Sequence, residues 1–289
     1  MTIAYLNGEF KPLEQAQISP MDRGFLFGDG IYEVVPSYAG KLVAGNLHAQ
    51  RMNRGLSEIG IKVLAEESNW VAIAEGLLAR NLDHLPDQNV GIYIHVSRGA
   101  DTKRFHAFPE GVKPTVFAFA FSIAPSAVPD RTQAKGLHVQ TQEDLRWRRC
   151  HIKSTSLLGN VMHFQDSFGK GINETVLYNQ DGMVTEASVS NVFAVIDGEI
   201  VTPPLDNQLL PGITRHILIN SIRKDGQYQL VERQITLEEL KGADEVWLTS
   251  SSKEVAPVVM IDNQAVGNGV VGEVWEQVAK SYHTHKFSF

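Results

Sequence analysis

Lys153 lies where a lysine could act as a nucleophile. The alternating residues 137–141 predict a strand before it, and apolar residues at helical spacing over 157–168 predict a helix after it. Lys153 would then lie near a helix N-terminus, just after the cations Arg146, Arg148 and Arg149, and both features penalise an ammonium. An uncharged amine can attack a carbonyl. The spacing alone leaves open a second interpretation, in which Lys153 is a solvated surface lysine.

The segment around Lys153 carries a family resemblance. Residues 144–153 read Asp-Leu-Arg-Trp-Arg-Arg-Cys-His-Ile-Lys, and three small hydroxyl residues follow. This segment resembles the lysine segment of the fold-type IV pyridoxal-phosphate enzymes: D-amino acid transaminases, branched-chain aminotransferases and aminodeoxychorismate lyases. The likeness extends from Asn7-Gly8 to the closing helix. It implies pyridoxal 5'-phosphate as cofactor, with Lys153 binding it and moving the proton at the substrate Cα.

Glu186 is the candidate acid for the pyridine nitrogen. A strand-end glutamate is usually solvated, but residues 185–191 match the family's TE-x-x-x-x-N pattern. The resemblance implies that Glu186 keeps the ring nitrogen protonated, so that the ring can accept electrons. Ala187 and Val189 depart from the family, and any hydrogen bond from a serine side chain at position 189 is lost.

A phosphate group is bound best by backbone N–H groups at a helix start, by hydroxyls and by a cation. Residues 210–215 supply a helix start, and Gly212 permits close approach of the backbone. Taken alone, a serine run is more often an ordinary loop, and Arg51 could equally lie on a solvated helix face. The resemblance nevertheless predicts the following cofactor-binding residues: Arg51, Lys153, Glu186, Leu210, Gly212, Ile213, Thr214, Ser250 and Ser251.

Arg104 and His106 are the candidate carboxylate-binding pair. They are two residues apart, which places both on one side of an extended segment. Basic loops are common, but this R-x-H pattern resembles the carboxylate site of D-amino acid transaminase, which Tyr32 would complete. In that family the pair reaches into the other subunit's site, which implies a homodimer with shared active sites. The predicted activity is transamination between D-amino acids (D-alanine, D-glutamate) and 2-oxo acids. The alternative is aminodeoxychorismate lyase or branched-chain L-amino acid aminotransferase chemistry.

Composition limits the other functional classes. The chain has 289 residues and a formal net charge of −7, which argues against a general nucleic-acid binder. No apolar run is long enough to span a bilayer, and the N-terminus lacks the features of a secretion signal. The single cysteine, Cys150, fits a reducing cytoplasm and has no evident base beside it. The sequence predicts no metal site.

Strands and helices that position these residues can be predicted from turn and cap signals. Asn7-Gly8 predicts a hairpin, residues 20–24 a loop, and Asn46 the cap of a helix. Thr236 and Glu239 form a capping-box pattern. The predicted fold is α+β with two domains, a smaller N-terminal α/β domain and a larger C-terminal pseudo-barrel-like domain. The predicted boundaries are 1–121 for the N-terminal domain, 122–134 for a linker and 135–289 for the cofactor-binding domain.

Overall fold

The protein forms two compact units. The computed structural model describes residues 2–85 and 88–289. The first unit contains the residues up to Pro125, together with Ile152–Leu157 and Phe289. The second contains Ser126–His151 and Leu158–Ser288. Lys153 therefore belongs to the first unit, although the chain on both sides of its segment belongs to the second.

In the first unit, the described residues form one antiparallel sheet with helices packed on it. Its elements are β1 (Ile3–Leu6), β2 (Glu9–Pro12), α1 (Arg23–Phe27), β3 (Gly30–Tyr38), β4 (Lys41–Leu42), α2 (Gly45–Glu58), α3 (Trp70–Asn81), β5 (Asn89–Ser97) and β6 (Thr115–Ser122). The strand order is β2-β1-β6-β5-β3-β4. Asn7 and Gly8 both have positive φ, at 47° and 95°, so the predicted hairpin turn between β1 and β2 is confirmed.

Alternate side chains of β5 contribute to the core of the first unit. Every second residue of this strand is buried in a cluster with α3: Val90, Ile92, Ile94 and Val96. Burying an aliphatic side chain of this kind contributes about 1.5–3 kcal/mol. The sheet is thereby fixed in register, and so are the side chains of β3 and β5 that point to its other face.

Helix α2 begins earlier than the sequence predicts. Ala44, with φ 49°, occupies the N-cap position, and Asn46 lies inside the helix. The prediction that Asn46 caps this helix is therefore wrong. Val43 N donates to the Pro36 carbonyl, and this contact with β3 fixes where the chain turns into the helix. The predicted loop at residues 20–24 also contains the start of α1, which Asp22 caps by accepting from Gly24 N.

In the second unit, the described residues form a mixed sheet with helices on it. Its elements are β7 (Leu137–Glu143), α4 (Leu158–Phe168), β8 (Glu174–Tyr178), β9 (Val184–Ala187), β10 (Asn191–Ile196), β11 (Glu199–Thr202), α5 (Ile213–Asp225), β12 (Leu230–Glu232), α6 (Leu237–Lys241), β13 (Glu245–Ser250), β14 (Glu254–Ile261), β15 (Gln264–Ala265) and α7 (Glu273–His285). The strand order is β12-β11-β10-β13-β14-β7-β8-β9, with β15 on β14. The capping box of Thr236 and Glu239 at α6 is confirmed.

The sheet of the second unit curls. Strands β9 and β10 are joined by residues 188–190 alone, yet β13, β14, β7 and β8 lie between them in the strand order. A connection of this length spans at most about 14 Å, whereas five strand spacings in a flat sheet would require about 24 Å. The sheet must therefore bend into a half-barrel. The predicted mixed fold with a barrel-like C-terminal domain is confirmed.

Among the described residues, no helix combines the length and the apolar character needed to cross a membrane.

Candidate active site

Backbone hydrogen bonds fix Lys153 beside β3. Tyr32 N donates to the Lys153 carbonyl at 3.1 Å, and Thr155 N donates to the Gly30 carbonyl at 3.0 Å. The lysine segment thus pairs with the beginning of β3. The position of Lys153 depends on this long-range pairing.

Gly28 lets the lysine segment approach the turn before β3. Its φ is 64°, and a Cβ on it would lie 2.5 Å from Ser156 Oγ. Thr155 Oγ1 donates to the Gly28 carbonyl at 2.9 Å. A side chain at position 28 would strain the backbone and displace the segment that carries Lys153.

Two of the predicted site residues, Lys153 and Tyr32, are in contact. Lys153 Nζ lies 4.1 Å from the centroid of the Tyr32 ring. That ring stacks on Tyr93, with centroids 5.7 Å apart. The aromatic pair therefore holds one side of the lysine amine in a defined place.

Arg51, the predicted phosphate cation, forms a buried ion pair. Its Nε and Nη2 donate to the two oxygens of Glu33 at 2.7 and 2.8 Å, and His48 Nδ1 donates to Glu33 at 2.7 Å. Burial opposes the charge on Glu33, but Arg51 and His48 outweigh it and hold the pKa of Glu33 well below its usual range. Burial, with Arg51 and Lys153 nearby, lowers the pKa of His48 against the opposing effect of Glu33. Much of the charge of Arg51 is thus already compensated by Glu33.

Arg104 and His106 lie around one aromatic ring. The Arg104 guanidinium carbon is 5.1 Å from the centroid of Phe27, and the His106 ring centroid is 5.3 Å from the same ring. Both side chains belong to exposed residues. The predicted carboxylate-binding pair is therefore brought together, with donors available to a ligand.

In the second unit, Glu186 is buried and takes three hydrogen bonds from the described residues. Arg146 Nη1 donates to Oε1 at 2.6 Å. Leu210 N and Asn191 Nδ2 donate to Oε2 at 2.9 and 3.2 Å. Burial raises the pKa of Glu186 and outweighs the lowering by Arg146 and the Leu210 N–H. The nearby carboxylate of Asp144, which also binds that guanidinium, adds to the rise.

Asn191 joins Glu186 to the beginning of α5. Its Nδ2 also donates to the Leu210 carbonyl at 2.9 Å. A Cβ on Gly212 would lie 2.1 Å from Asn191 Oδ1, so only glycine fits beside this amide. Ile213 opens α5 as predicted, and Glu186, Leu210 and Gly212 are brought together.

Hydroxyl groups lie on β13, which pairs with β10, and beside the start of β10. Asn191 pairs across the sheet with Thr249, and Ser250 ends β13, with its Oγ accepting from Lys253 N at 3.1 Å. The buried hydroxyls of Ser190 and Thr249 have no hydrogen-bond partner within the part of the chain that the structure describes. Unpaired buried hydroxyls are costly, and a bound anion would satisfy them.

Comparison with known proteins identifies the family. The family model described as amino-transferase class IV matches residues 30–261. The chain is 40% identical to a D-alanine aminotransferase of Staphylococcus haemolyticus over 286 residues, which is 99% of this chain and 98% of that protein. A D-alanine aminotransferase of Bacillus licheniformis is 35% identical over 94% of this chain and 93% of its own length. The chain belongs to the class IV aminotransferases.

Solved structures of class IV aminotransferases share the fold. The T.th. branched-chain amino acid aminotransferase, complexed with N-(5'-phosphopyridoxyl)-L-glutamate, superimposes with a TM-score of 0.86 at 24% identity, covering 99% of this chain and 94% of that one. The branched-chain enzyme of Escherichia coli gives 0.83 at 21% identity, over 99% and 94%. At these identities the likeness concerns the fold.

Pyridoxal phosphate, the cofactor that class IV aminotransferases imply, fits the residues of this chain. A carboxylate has about four acceptor positions, and the described donors fill three on Glu186, so one remains for a ring nitrogen. Gly212 at the start of α5 leaves backbone N–H groups open to an anion. Of the unpaired hydroxyls, Ser190 lies in the connection just before β10, and Thr249 lies on β13 opposite Asn191.

Several residues of the candidate site are not evident from the sequence. Arg146 binds Glu186 from 40 positions away, and no local pattern predicts that pairing. Fully buried Glu174 accepts from Ser188 Oγ, and from Lys253 Nζ at 2.7 Å, which joins the segment after Glu186 to the turn after β13. The sequence around Glu174 is typical of an ordinary strand, so only the fold shows that Glu174 joins these two segments.

Among the described residues, no group of three or more His, Cys, Asp or Glu side chains is placed to bind a metal ion. Cys150 is buried, and its Sγ lies 3.0 Å from the Trp147 carbonyl. Burial raises the pKa of its thiol to about 12. Cys150 is therefore an inert thiol at neutral pH, as expected of a structural cysteine.

Proposed function

We propose that the protein is a pyridoxal-phosphate-dependent aminotransferase that moves amino groups between D-amino acids, D-alanine and D-glutamate among them, and 2-oxo acids. The observation that carries the proposal is the exposed Arg104–His106 pair around Phe27. It occurs in a chain that resembles D-alanine aminotransferases along nearly its whole length.

Lys153 binds the cofactor and moves the proton at the substrate Cα. When bound, pyridoxal phosphate supplies the aldehyde that carries the amino group and the ring that accepts electrons. Lys153 suits the proton-transfer role because its segment is fixed on β3 and its amine lies against Tyr32. Tyr32 also contributes to the substrate carboxylate site.

Glu186 receives the ring nitrogen of the cofactor. Its buried carboxyl is held by Arg146, Asn191 and the Leu210 N–H, so its open acceptor position is fixed in direction. Phosphate binds at the start of α5, and Arg51 is retained as the proposed phosphate cation. The remaining proposed contacts come from Leu210, Gly212, Ile213, Thr214, Ser250 and Ser251.

We further propose that the enzyme is a homodimer that shares its active sites. Helix α4 presents apolar side chains at i, i+3 and i+4 spacing, and they are between half and three-quarters exposed: Leu158, Val161, Met162 and Phe168. A second copy of the chain would cover this face. The proposed place of action is the cytoplasm, since a single buried cysteine fits a reducing compartment.

The function is tested with purified enzyme in an assay of D-alanine with 2-oxoglutarate. Parallel assays use a branched-chain L-amino acid and aminodeoxychorismate. Wild-type enzyme should turn over D-alanine, and Lys153→Ala should not. The variant loses the amine that both binds the cofactor and carries the proton. Faster turnover of either rival substrate would reject the proposal.

The shared site is tested by mixing Lys153→Ala with Arg104→Ala chains. If Arg104 acts in the other subunit's site, each mixed dimer carries one site with both defects and one intact site. Random re-association would then restore about a quarter of wild-type activity from two nearly inactive parents. Mixed dimers that form but stay inactive would place both residues in the same subunit's site.

A further inference from the structure

The loop that carries Arg104 and His106 is held by side chains. Residues 98–114 connect β5 to β6, and within this fully described segment there is no helix and no strand beyond one bridge between Ala100 and Asp22. Connections of this length are usually functional or disordered. Phe105 and Phe108 are 62% and 63% exposed, so hydrophobic burial does not fix the loop.

Arg23 binds two backbone carbonyls of the loop, that of Phe105, which lies between the two predicted carboxylate-binding residues, and that of His106. Its Nη1 donates to the Phe105 carbonyl at 2.5 Å, and its Nη2 donates to the His106 carbonyl at 3.2 Å. Arg23 is only 3% exposed, so these hydrogen bonds form away from bulk solvent. The guanidinium thus fixes the peptide that sets the spacing of Arg104 and His106.

Two further charged side chains fix Arg23 itself. Its Nε donates to Asp29 Oδ2 at 2.8 Å, and Arg98 Nε donates to the same oxygen at 2.8 Å. Arg98 Nη2 donates to the Ile59 carbonyl at 2.7 Å, which anchors the pair to the end of α2. The Arg98 guanidinium carbon also lies 3.5 Å from the Phe108 ring centroid, a second contact with the loop.

A purely structural ion pair would not need this arrangement. Neutralising Asp29 uses only the Nε of Arg23, whereas both terminal nitrogens are directed to the loop carbonyls. A lysine could supply the charge but not three donors in one plane. The two terminal nitrogens of the Arg23 guanidinium therefore hold the loop.

We propose that Arg23 is a positioning residue for substrate recognition, which holds the Phe105 and His106 carbonyls and so fixes Arg104 and His106 in the arrangement that binds a substrate carboxylate. This inference rests on the proposed function, because it assumes that the pair binds substrate. Arg23 acts through the loop and does not itself touch the substrate.

Steady-state kinetics of Arg23→Lys and Arg23→Gln test the proposal. Loss of two charge-assisted hydrogen bonds should raise the KM for D-alanine and for 2-oxoglutarate about tenfold or more. The kcat should fall by less than about threefold, and the absorbance of the bound cofactor should stay unchanged. Arg80→Gln is the matched control, since Arg80 also donates to a carbonyl and lies over a phenyl ring, 4.0 Å from the centroid of Phe10. Unchanged KM in both Arg23 variants would overturn the proposal.

A double variant separates positioning from general destabilisation. If Arg23 acts through the carboxylate loop, Arg23→Lys should add little to the KM effect of Arg104→Ala. Additive effects of the two substitutions would overturn the inference. Arg23→Lys retains the charge beside Asp29, so it is the variant to use if Arg23→Gln fails to fold.

Proteolysis gives a measurement that does not depend on activity. Lys103 and Arg104 are exposed, and trypsin cleaves after both. Arg23→Lys should be cut there about tenfold faster than wild type, with Arg80→Gln unchanged. If the wild-type enzyme fails to transaminate D-amino acids, the proposed function is wrong. The cleavage rates would still test whether Arg23 holds the loop. Equal cleavage of Arg23→Lys and wild type would reject the inference.

Discussion

Glu33 in the first unit and Glu186 in the second are both buried carboxyls that face an arginine, yet their pKa values are displaced in opposite directions. Two nitrogens of Arg51 and one of His48 donate to Glu33. Arg146 gives one nitrogen to Glu186 and three hydrogen bonds, counting its backbone N–H, to Asp144. Burial therefore dominates at Glu186, where its pKa is raised, and is outweighed at Glu33, where it is lowered.

The difference shows what makes a buried carboxyl reactive. A carboxylate that takes two hydrogen bonds from an arginine and one from a histidine is held in its charged form, whereas one whose arginine also binds a second carboxylate remains able to exchange a proton. Glu33 is thus suited to holding Arg51, and Glu186 is suited to a titrating ring nitrogen.

Glu33→Gln should lower the free energy of unfolding by about 3–5 kcal/mol, because Arg51 is left buried without its counter-charge. Urea unfolding followed by tryptophan fluorescence measures the change. Glu9→Gln, which removes an exposed pair with Lys11, is the control and should leave the unfolding midpoint unchanged. A Glu33→Gln midpoint equal to that of wild type would show that the pair is not needed for folding.

Glu186→Gln should retain the cofactor but lose about a hundredfold in kcat, since an amide cannot keep the ring nitrogen protonated. Stopped-flow measurement of the half-reaction with D-alanine reports the loss directly. Glu143→Gln, on an exposed residue at the end of β7, serves as control. Half-reaction rates within twofold of wild type would remove Glu186 from the chemistry.

Asn191→Ala should weaken cofactor binding about tenfold, because the Glu186 carboxylate and the Leu210 carbonyl each lose a donor. Titration of the apoprotein with pyridoxal phosphate gives the dissociation constant. Asn220→Ala, which removes an exposed amide on α5, should leave that constant unchanged. Equal constants for both variants would mean that Asn191 does not orient Glu186.

The smallest expected effect is the pH dependence of stability, and it differs in sign between the two carboxyls. The folded pKa of Glu33 lies below its ordinary 4.5, so the stability advantage of wild type over Glu33→Gln should shrink as pH falls through 4.5. The folded pKa of Glu186 lies above 4.5, so wild type should gain on Glu186→Gln as pH falls towards 4.5. Urea unfolding of the apoproteins from pH 7 to pH 3 would measure both trends. Parallel trends would contradict the comparison.

Local signals predicted much of the fold. The hairpin at Asn7-Gly8, the start of α5 after Gly212 and the capping box at Thr236 depend on nearby residues, and all three are confirmed. The cap of α2 was predicted wrongly, since a tertiary hydrogen bond from Val43 sets that turn. Strand β14 carries no comparable local signal, because Pro257 lies within it and weakens its sequence pattern.

The candidate site was predictable only in its side-chain types. Glu186 follows from the pattern that also contains Asn191, but Arg146 lies far away in sequence and only the folded sheet brings it to Glu186. The same is true of Arg23, which reaches the Phe105 carbonyl across 82 positions. Long-range contacts of an arginine with a carboxylate or a carbonyl follow no sequence period, so they cannot be derived from residue spacing.

The state of Cys150 has a practical consequence for chemical labelling. It is the one cysteine of the sequence, 8% exposed, and its thiol pKa is raised to about 12 by burial. Maleimide reagents attack thiolates, so they should leave this residue unmodified in the folded protein. A cysteine introduced at an exposed position outside the proposed site, such as Lys135, would then take up a fluorophore alone. Donor- and acceptor-labelled chains would then test the proposed homodimer by energy transfer, with the native thiol left in place.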